Sequence, residues 1–197
     1  MLSIEDLKVK IFADGADLLS IMKANEMPFI KGFTTNPSLM RKAGVSSYED
    51  FARELLQKIT DKPVSLEVFA DDEEEIIKQA KKIDSWGNNV FVKIPVTNTS
   101  GDFMGRILKA LSSEGIPLNI TAMMTPEQVY EVMNATEKNC PLIFSVFAGR
   151  IADTGRDPLS CMKECLSIIS SNSNAELLWA SPRELYNIFQ ADAICHI

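Results

Sequence analysis

Residues 89–101 read NVFVKIPVTNTSG: a buried strand running into a polar turn. Val90, Val92, Ile94 and Val96 fall on one face of an extended chain, and Phe91, Lys93 and Pro95 on the other. The lysine poses the question. An ammonium group is among the least readily buried side chains. Either Lys93 reaches solvent, or the protein keeps an amine in a secluded place.

Working outward, the same kind of run recurs. Candidate strands occupy residues 8–14 (KVKIFAD), 31–36 (KGFTTN), 64–69 (VSLEVF), 90–96 (VFVKIPV), 117–121 (PLNIT), 142–147 (LIFSVF), 176–181 (ELLWAS) and 193–197 (AICHI). Amphipathic segments lie between them, among them residues 46–59 (SSYEDFARELLQKI) and 71–83 (DDEEEIIKQAKKI). The second is acidic early and basic late, as a helix dipole prefers. Residues 125–133 (TPEQVYEVM) and 181–189 (SPRELYNIF) open alike. Each has a hydroxyl at the N-cap, proline at the first helical position and Gln or Glu three residues after the cap. About eight strands alternating with helices predict an α/β fold, the (β/α)8 TIM barrel. A doubly wound sheet shares the alternation, but no G-x-G-x-x-G or P-loop glycine pattern supports it. The sequence stops inside the last candidate strand, without an eighth outer helix. Further residues or a neighbouring subunit would have to cover the apolar surface of the first and last staves.

Composition narrows the classes. The 197 residues are 46% hydrophobic and 24% charged, a globular balance that allows one substantial core. A single domain over residues 1–197 is expected, with two small ones as the alternative. A net charge of −7 argues against nucleic acid or an acidic membrane as general partner. An anionic small substrate needs only local arginines and lysines. No apolar run approaches the roughly 20 residues of a membrane span, and the first ten residues lack signal-peptide character. Cys140, Cys161, Cys165 and Cys195 form no pair of C-x-x-C motifs, and His196 is the single histidine. A zinc cluster or a histidine-based triad is therefore not expected. Reduced thiols in a cytoplasm are the simplest reading.

The polar residues gather at the C-terminal ends of the strands. They are Asp14; Thr34, Thr35 and Asn36; Glu67; Lys93; Asn119 and Thr121; Ser145 leading into Arg150; and Ser181 with Arg183 beyond it. In a barrel these ends share the rim that carries the active site. Each has a plainer reading. Asp14 and Ser181 would serve as caps, Asn36-Pro37 as a turn, Thr34 and Thr35 as ordinary strand residues. Glu67 and Lys93 would form a salt bridge, and Arg150 and Arg183 would be surface charge. Those readings do not explain why the exceptions fall at one end of the strands.

A secluded amine has a definite chemistry. Desolvation and nearby positive charge lower a lysine's pKa and expose its lone pair. The amine then attacks a ketone or aldehyde and gives a Schiff base, an electron sink that permits carbon–carbon cleavage without a metal. Carboxylates such as Asp14 and Glu67 move the protons. Arginines beside a helix N-terminus, as in residues 180–184 (ASPRE), suit a phosphate. The combination describes a class I aldol enzyme acting on a sugar phosphate. Pyridoxal phosphate would also use a lysine, but no motif dedicated to a cofactor is present.

The segments FADGAD, GFTTNPSL, SLEV, VFVKIPVT, LNIT, FSVFAGRIAD and ASPRE follow the order and spacing of the transaldolase family. The chain resembles its small single-domain branch, which includes fructose-6-phosphate aldolases. The resemblance spans residues of about 10–197. It implies that Lys93 forms the Schiff base and that Asp14 takes the proton from the C4 hydroxyl. It implies that Glu67 and Thr121 hold the catalytic water, and that Asn36 and Asn119 bind the dihydroxyacetone unit with Thr34 and Ser145 nearby. Arg150, Ser181 and Arg183 would hold phosphate. Glu67 and Phe147 resemble the transaldolases, where the aldolase members tend to have glutamine and tyrosine. Phenylalanine lacks the hydroxyl that would help release the enamine. Val146 stands where proline is common, and Pro182 stands between two phosphate-site residues. The implied activity is transfer of dihydroxyacetone from sedoheptulose 7-phosphate or fructose 6-phosphate to glyceraldehyde 3-phosphate or erythrose 4-phosphate. No cofactor or metal is implied, and a homo-oligomer is. The alternatives are an aldolase that releases free dihydroxyacetone and a non-catalytic sugar-phosphate-binding barrel.

Overall fold

The computed structural model describes residues 4–194. Seven parallel strands alternate with helices along the chain, the architecture of a (β/α)8-barrel-type α/β fold. The chain divides into two compact units, one ending at Val92 and the other beginning at Lys93.

The first unit contains β1 (Ile11–Asp14), α1 (Leu18–Asn25), β2 (Ile30–Thr34), α2 (Pro37–Lys42), α3 (Tyr48–Lys58), β3 (Val64–Glu67) and α4 (Glu73–Asp84). β1 pairs with β2 and β2 with β3, all parallel. The register slips between Ile11 and Phe12, and from there Phe12 stands opposite Gly32. A Cβ on Gly32 would lie 2.2 Å from the Phe12 ring, so only glycine lets that ring cross the neighbouring strand. Phe33, Leu55, Ile59, Leu66 and Ile76 are buried in its core. The helix starts follow from local chemistry. Asp17, Asn36, Ser47 and Asp72 each accept a backbone N–H in the first turn of α1, α2, α3 and α4. In α4, Glu73, Glu74 and Glu75 lie at the positive end and Lys81 and Lys82 at the negative end, as the sequence led one to expect.

β4 (Val90–Pro95) runs through the division. The second unit continues with α5 (Gly105–Ser113), β5 (Leu118–Met123), α6 (Pro126–Ala135), β6 (Leu142–Val146), α7 (Ala148–Asp153), α8 (Pro158–Ile169), β7 (Ala175–Trp179) and α9 (Tyr186–Ile194). β5 pairs with β6 and β6 with β7, again parallel. β6 is buried at every position, as a parallel strand covered on both faces should be. Thr125 and Gln128 form a complete capping box on α6 behind Pro126, as their spacing predicts.

Two expectations at the C-terminal end fail. Ser181 does not cap a helix with Pro182 at its first position: α9 begins only at Tyr186. An N-cap needs extended backbone, and Ser181 is left-handed, with φ of 57°. Its carbonyl oxygen lies so close to Gly149 that a Cβ there would come within 1.7 Å. The eighth strand expected at 193–197 is also absent where it can be described. Ala193 and Ile194 close α9, and residues 195–197 lie outside the described part. Cys195 and His196 lie there too. Among the described residues, no helix is long and apolar enough to cross a membrane.

The faces of β4 are unequal. Val90, Val92 and Ile94 are sealed from water, while Phe91, Lys93 and Pro95 are half-buried. Truncation should therefore cost about 2–5 kcal/mol at Ile94 (Ile94→Ala) and no more than about 1 kcal/mol next door in Lys93→Met. Urea unfolding of both variants measures the contrast.

Candidate active site

In the first unit, Asp14 stands exposed at the last position of β1, directly opposite Thr34 in the register. Thr34 Oγ1 donates to Asp14 Oδ1 at 2.8 Å. Asn36 bridges two duties. Its Oδ1 accepts from Leu39 N at 3.0 Å and caps α2, which turns its NH2 toward Asp14 Oδ2, 3.5 Å away. The cap of α1 is Asp17, not Asp14, so the plainer reading of Asp14 as a helix cap does not hold. The carboxylate is oriented by a hydroxyl and faced by an amide.

Glu67 ends β3 half-buried. Its backbone carbonyl accepts the Tyr48 hydroxyl at 2.9 Å. Tyr48 is the first residue of α3 and packs edge-on against Phe69 at 4.8 Å and Trp86 at 5.5 Å. Burial, with the Glu67 charge adding to it, pushes the Tyr48 hydroxyl far above the ordinary phenol range. It therefore stays a donor and ties the end of β3 to α3. Sequence reasoning passed over Tyr48, because an aromatic inside an amphipathic helix reads as core.

In the second unit, Lys93 has the half-buried place described for β4. Asn119, Thr121 and Ser145 are all buried. Ser145 Oγ donates to Asn119 Oδ1 at 2.7 Å, which fixes the amide's orientation. Thr121 Oγ1 is buried without a hydrogen-bond partner in the structure, an expensive state for a hydroxyl unless something is to bind there. The next residue, Ala122, has φ of 63°, where the β5–β6 register shifts. A left-handed alanine stores roughly 1–2 kcal/mol. Among the described residues, Ala122 and Ser181 are the two non-glycine positions with positive φ. Ala122 follows Thr121, and Ser181 is itself one of the residues singled out from the sequence, where strain tends to collect.

Phe147 follows β6 and is half-buried; the Arg150 guanidinium lies over its ring, 5.4 Å from the centroid. Arg183 is engaged with Asp153 through two parallel hydrogen bonds, one of them from Nε to Oδ1 at 3.1 Å. That pair holds the Asp153 carboxyl below its usual range, and Arg150 adds a smaller pull in the same direction. Asp153 thus stands in the field of both arginines, a role the sequence did not reveal. The expected helix N-terminus beside Arg183 is occupied from within. Asn187 Oδ1 accepts from Arg183 N at 2.8 Å and Glu184 N at 3.2 Å, so those amides are not turned outward. An anion here would meet side chains, not an open helix end.

Two substitutions test this construction. Gly149→Ala should destabilise by about 3 kcal/mol or more, because its Cβ meets a backbone carbonyl that cannot swing away. Tyr48→Phe should cost about 1 kcal/mol for the lost hydrogen bond. Denaturant midpoints read both.

Comparison with known proteins follows the same lines. The transaldolase/fructose-6-phosphate aldolase family pattern matches residues 11–197. A probable transaldolase of Nitrosopumilus maritimus is 35% identical over 188 residues, covering 94% of this chain and 80% of that protein. A probable transaldolase of Streptococcus equi subsp. zooepidemicus is 37% identical over 179 residues, covering 89% and 78%. Among solved structures, dihydrodipicolinate synthase from Rhodopseudomonas palustris matches with a TM-score of 0.55 at 13% identity, covering 90% of this chain and 64% of that one. That last likeness is one of fold alone. The chain belongs to the transaldolase/fructose-6-phosphate aldolase family.

Proposed function

We propose that the protein is a transaldolase of the pentose phosphate pathway working through a Schiff base on Lys93. The donor is a ketose phosphate, sedoheptulose 7-phosphate or fructose 6-phosphate. The acceptor is glyceraldehyde 3-phosphate or erythrose 4-phosphate. The observation that carries the reading is Lys93 itself: a half-buried amine on a strand whose opposite face is closed to water, in a chain of this family.

Lys93 Nζ attacks the ketone carbon and loses water to form an iminium. Asp14 removes the C4 hydroxyl proton as the C3–C4 bond breaks, and the electron pair passes into the iminium as an enamine. The hydrogen bond from Thr34 supports a carboxylate held in one orientation for that transfer. Glu67 and Thr121 hold the water used in imine formation and hydrolysis; the buried, unpartnered Thr121 hydroxyl supports this role. Asn36 and Asn119 bind the dihydroxyacetone hydroxyls, with Ser145 orienting Asn119. Arg150, Ser181 and Arg183 take the phosphate, for which Arg183 exchanges Asp153 as its partner. We further propose a cytoplasmic homo-oligomer.

Release of free dihydroxyacetone is the rival outcome. Phe147 argues for transfer, since its ring has no proton to give the enamine and is covered by Arg150. With fructose 6-phosphate alone, free dihydroxyacetone should stay near background. Adding erythrose 4-phosphate should yield sedoheptulose 7-phosphate at least tenfold faster. Asp14→Asn should lower kcat by 10²-fold or more while KM changes little. Equal dihydroxyacetone release with and without acceptor would instead assign an aldolase.

A further inference from the structure

The four thiols are not used by the proposed reaction, and two of them are placed together. Cys161 and Cys165 lie one turn apart on α8 with their sulfurs 4.0 Å from each other. Both are free thiols, Cys161 partly open to solvent and Cys165 fully buried. We propose that they form a peroxide-sensitive dithiol site, at which Cys161 is oxidised first and Cys165 then closes a reversible disulfide within α8.

The two positions differ in the way such a pair requires. Cys161 is the fourth residue of α8, near the helix end that favours negative charge. The contact with the Cys165 thiol lowers its pKa, against burial and the opposing charges of Glu164 and Glu127. Cys165 is pushed the other way, by that same contact and by burial. One thiol is therefore the accessible nucleophile and the other the sheltered resolving group.

The chemistry balances with a hydroperoxide as oxidant. The Cys161 thiolate attacks the outer peroxide oxygen and the O–O bond breaks. The alkoxide or hydroxide leaves and is protonated, and the sulfur, two electrons poorer, becomes a sulfenic acid. Cys165 Sγ then attacks that sulfur. The S–O bond breaks, hydroxide leaves with the Cys165 proton as water, and the S–S bond forms. A thiol reductant reverses the step by exchange.

Helix geometry makes the bond labile. Residues four apart have Cα atoms about 6.2 Å apart, within the disulfide range. Their Cβ atoms, however, must close from about 5–6 Å to about 3.5–4.5 Å. α8 must tighten at this turn, and a strained disulfide is readily reduced. Closure also takes Cys161 from the Met124 carbonyl, to which its thiol donates at 3.9 Å. Met124 follows β5 directly, and its N–H is held by Gln128. The site stands whichever reaction Lys93 performs.

Lys163 separates the two cysteines, so trypsin gives a direct assay. The full chain is treated with a few equivalents of hydrogen peroxide, blocked with N-ethylmaleimide and digested without reductant. The expected product joins the peptides of residues 157–163 and 164–183, and dithiothreitol separates them. Cys165→Ser, or Cys165→Ala if serine is not tolerated in the core, should stop at a sulfenic acid on Cys161 that dimedone captures. Cys140, buried with its thiol donating to Ile116 O, should react at least tenfold more slowly than Cys161. Absence of the joined peptides in the unsubstituted chain, or oxidation of Cys140 as fast as Cys161, would overturn the proposal.

Discussion

A parallel strand covered on both faces has no natural place for a charge. On β4, Val90, Val92 and Ile94 obey that constraint completely, and Lys93 sits on the alternate parity where burial is only partial. Charge in such a setting needs polar company, since an ion taken from water without partners is costly. The same logic governs other polar side chains of the fold. Asp14 at the end of β1 is met by Thr34, Asn119 within β5 by Ser145 and, at the end of α7, Asp153 by Arg183. On β4 the apolar residues of one parity build the core, whereas β6 is buried on both.

Much of this was legible in the sequence because strand periodicity is strict. The starts and ends of the seven observed strands fall within three residues of those expected, since a one-residue slip would exchange the two faces. The α6 capping box was equally plain, because it needs only residues within one turn. What the sequence hid depended on contacts distant along the chain. SPRELYNIF carries the same opening signature as TPEQVYEVM, yet its helix starts five residues after Ser181. Two features set it apart: Ser181 is left-handed, and its carbonyl approaches Gly149 where any side chain would clash. No local pattern announces that approach.

The site residues divide in the same way. Asp14, Asn36, Asn119 and Ser145 were singled out as polar exceptions, and each proves to be held by a specific partner. Tyr48, Asp153 and Asn187 were not, because each looks ordinary in its own segment. Tyr48 resembles a core aromatic, Asp153 a surface carboxylate, and Asn187 a neutral helix residue. Their roles appear only when a carbonyl, a guanidinium or two backbone amides are brought to them. The proposed anion site accordingly differs in kind from the helix-end clamp anticipated: Arg183 is paired with Asp153, and the nearby amides are already taken by Asn187.

Lys93 is the proposed covalent nucleophile. Incubating the protein with fructose 6-phosphate and sodium borohydride, then mapping peptides by mass, tests it directly. A reduced three-carbon adduct on Lys93 alone is expected. An adduct on another lysine, or none from a folded chain, would contradict it.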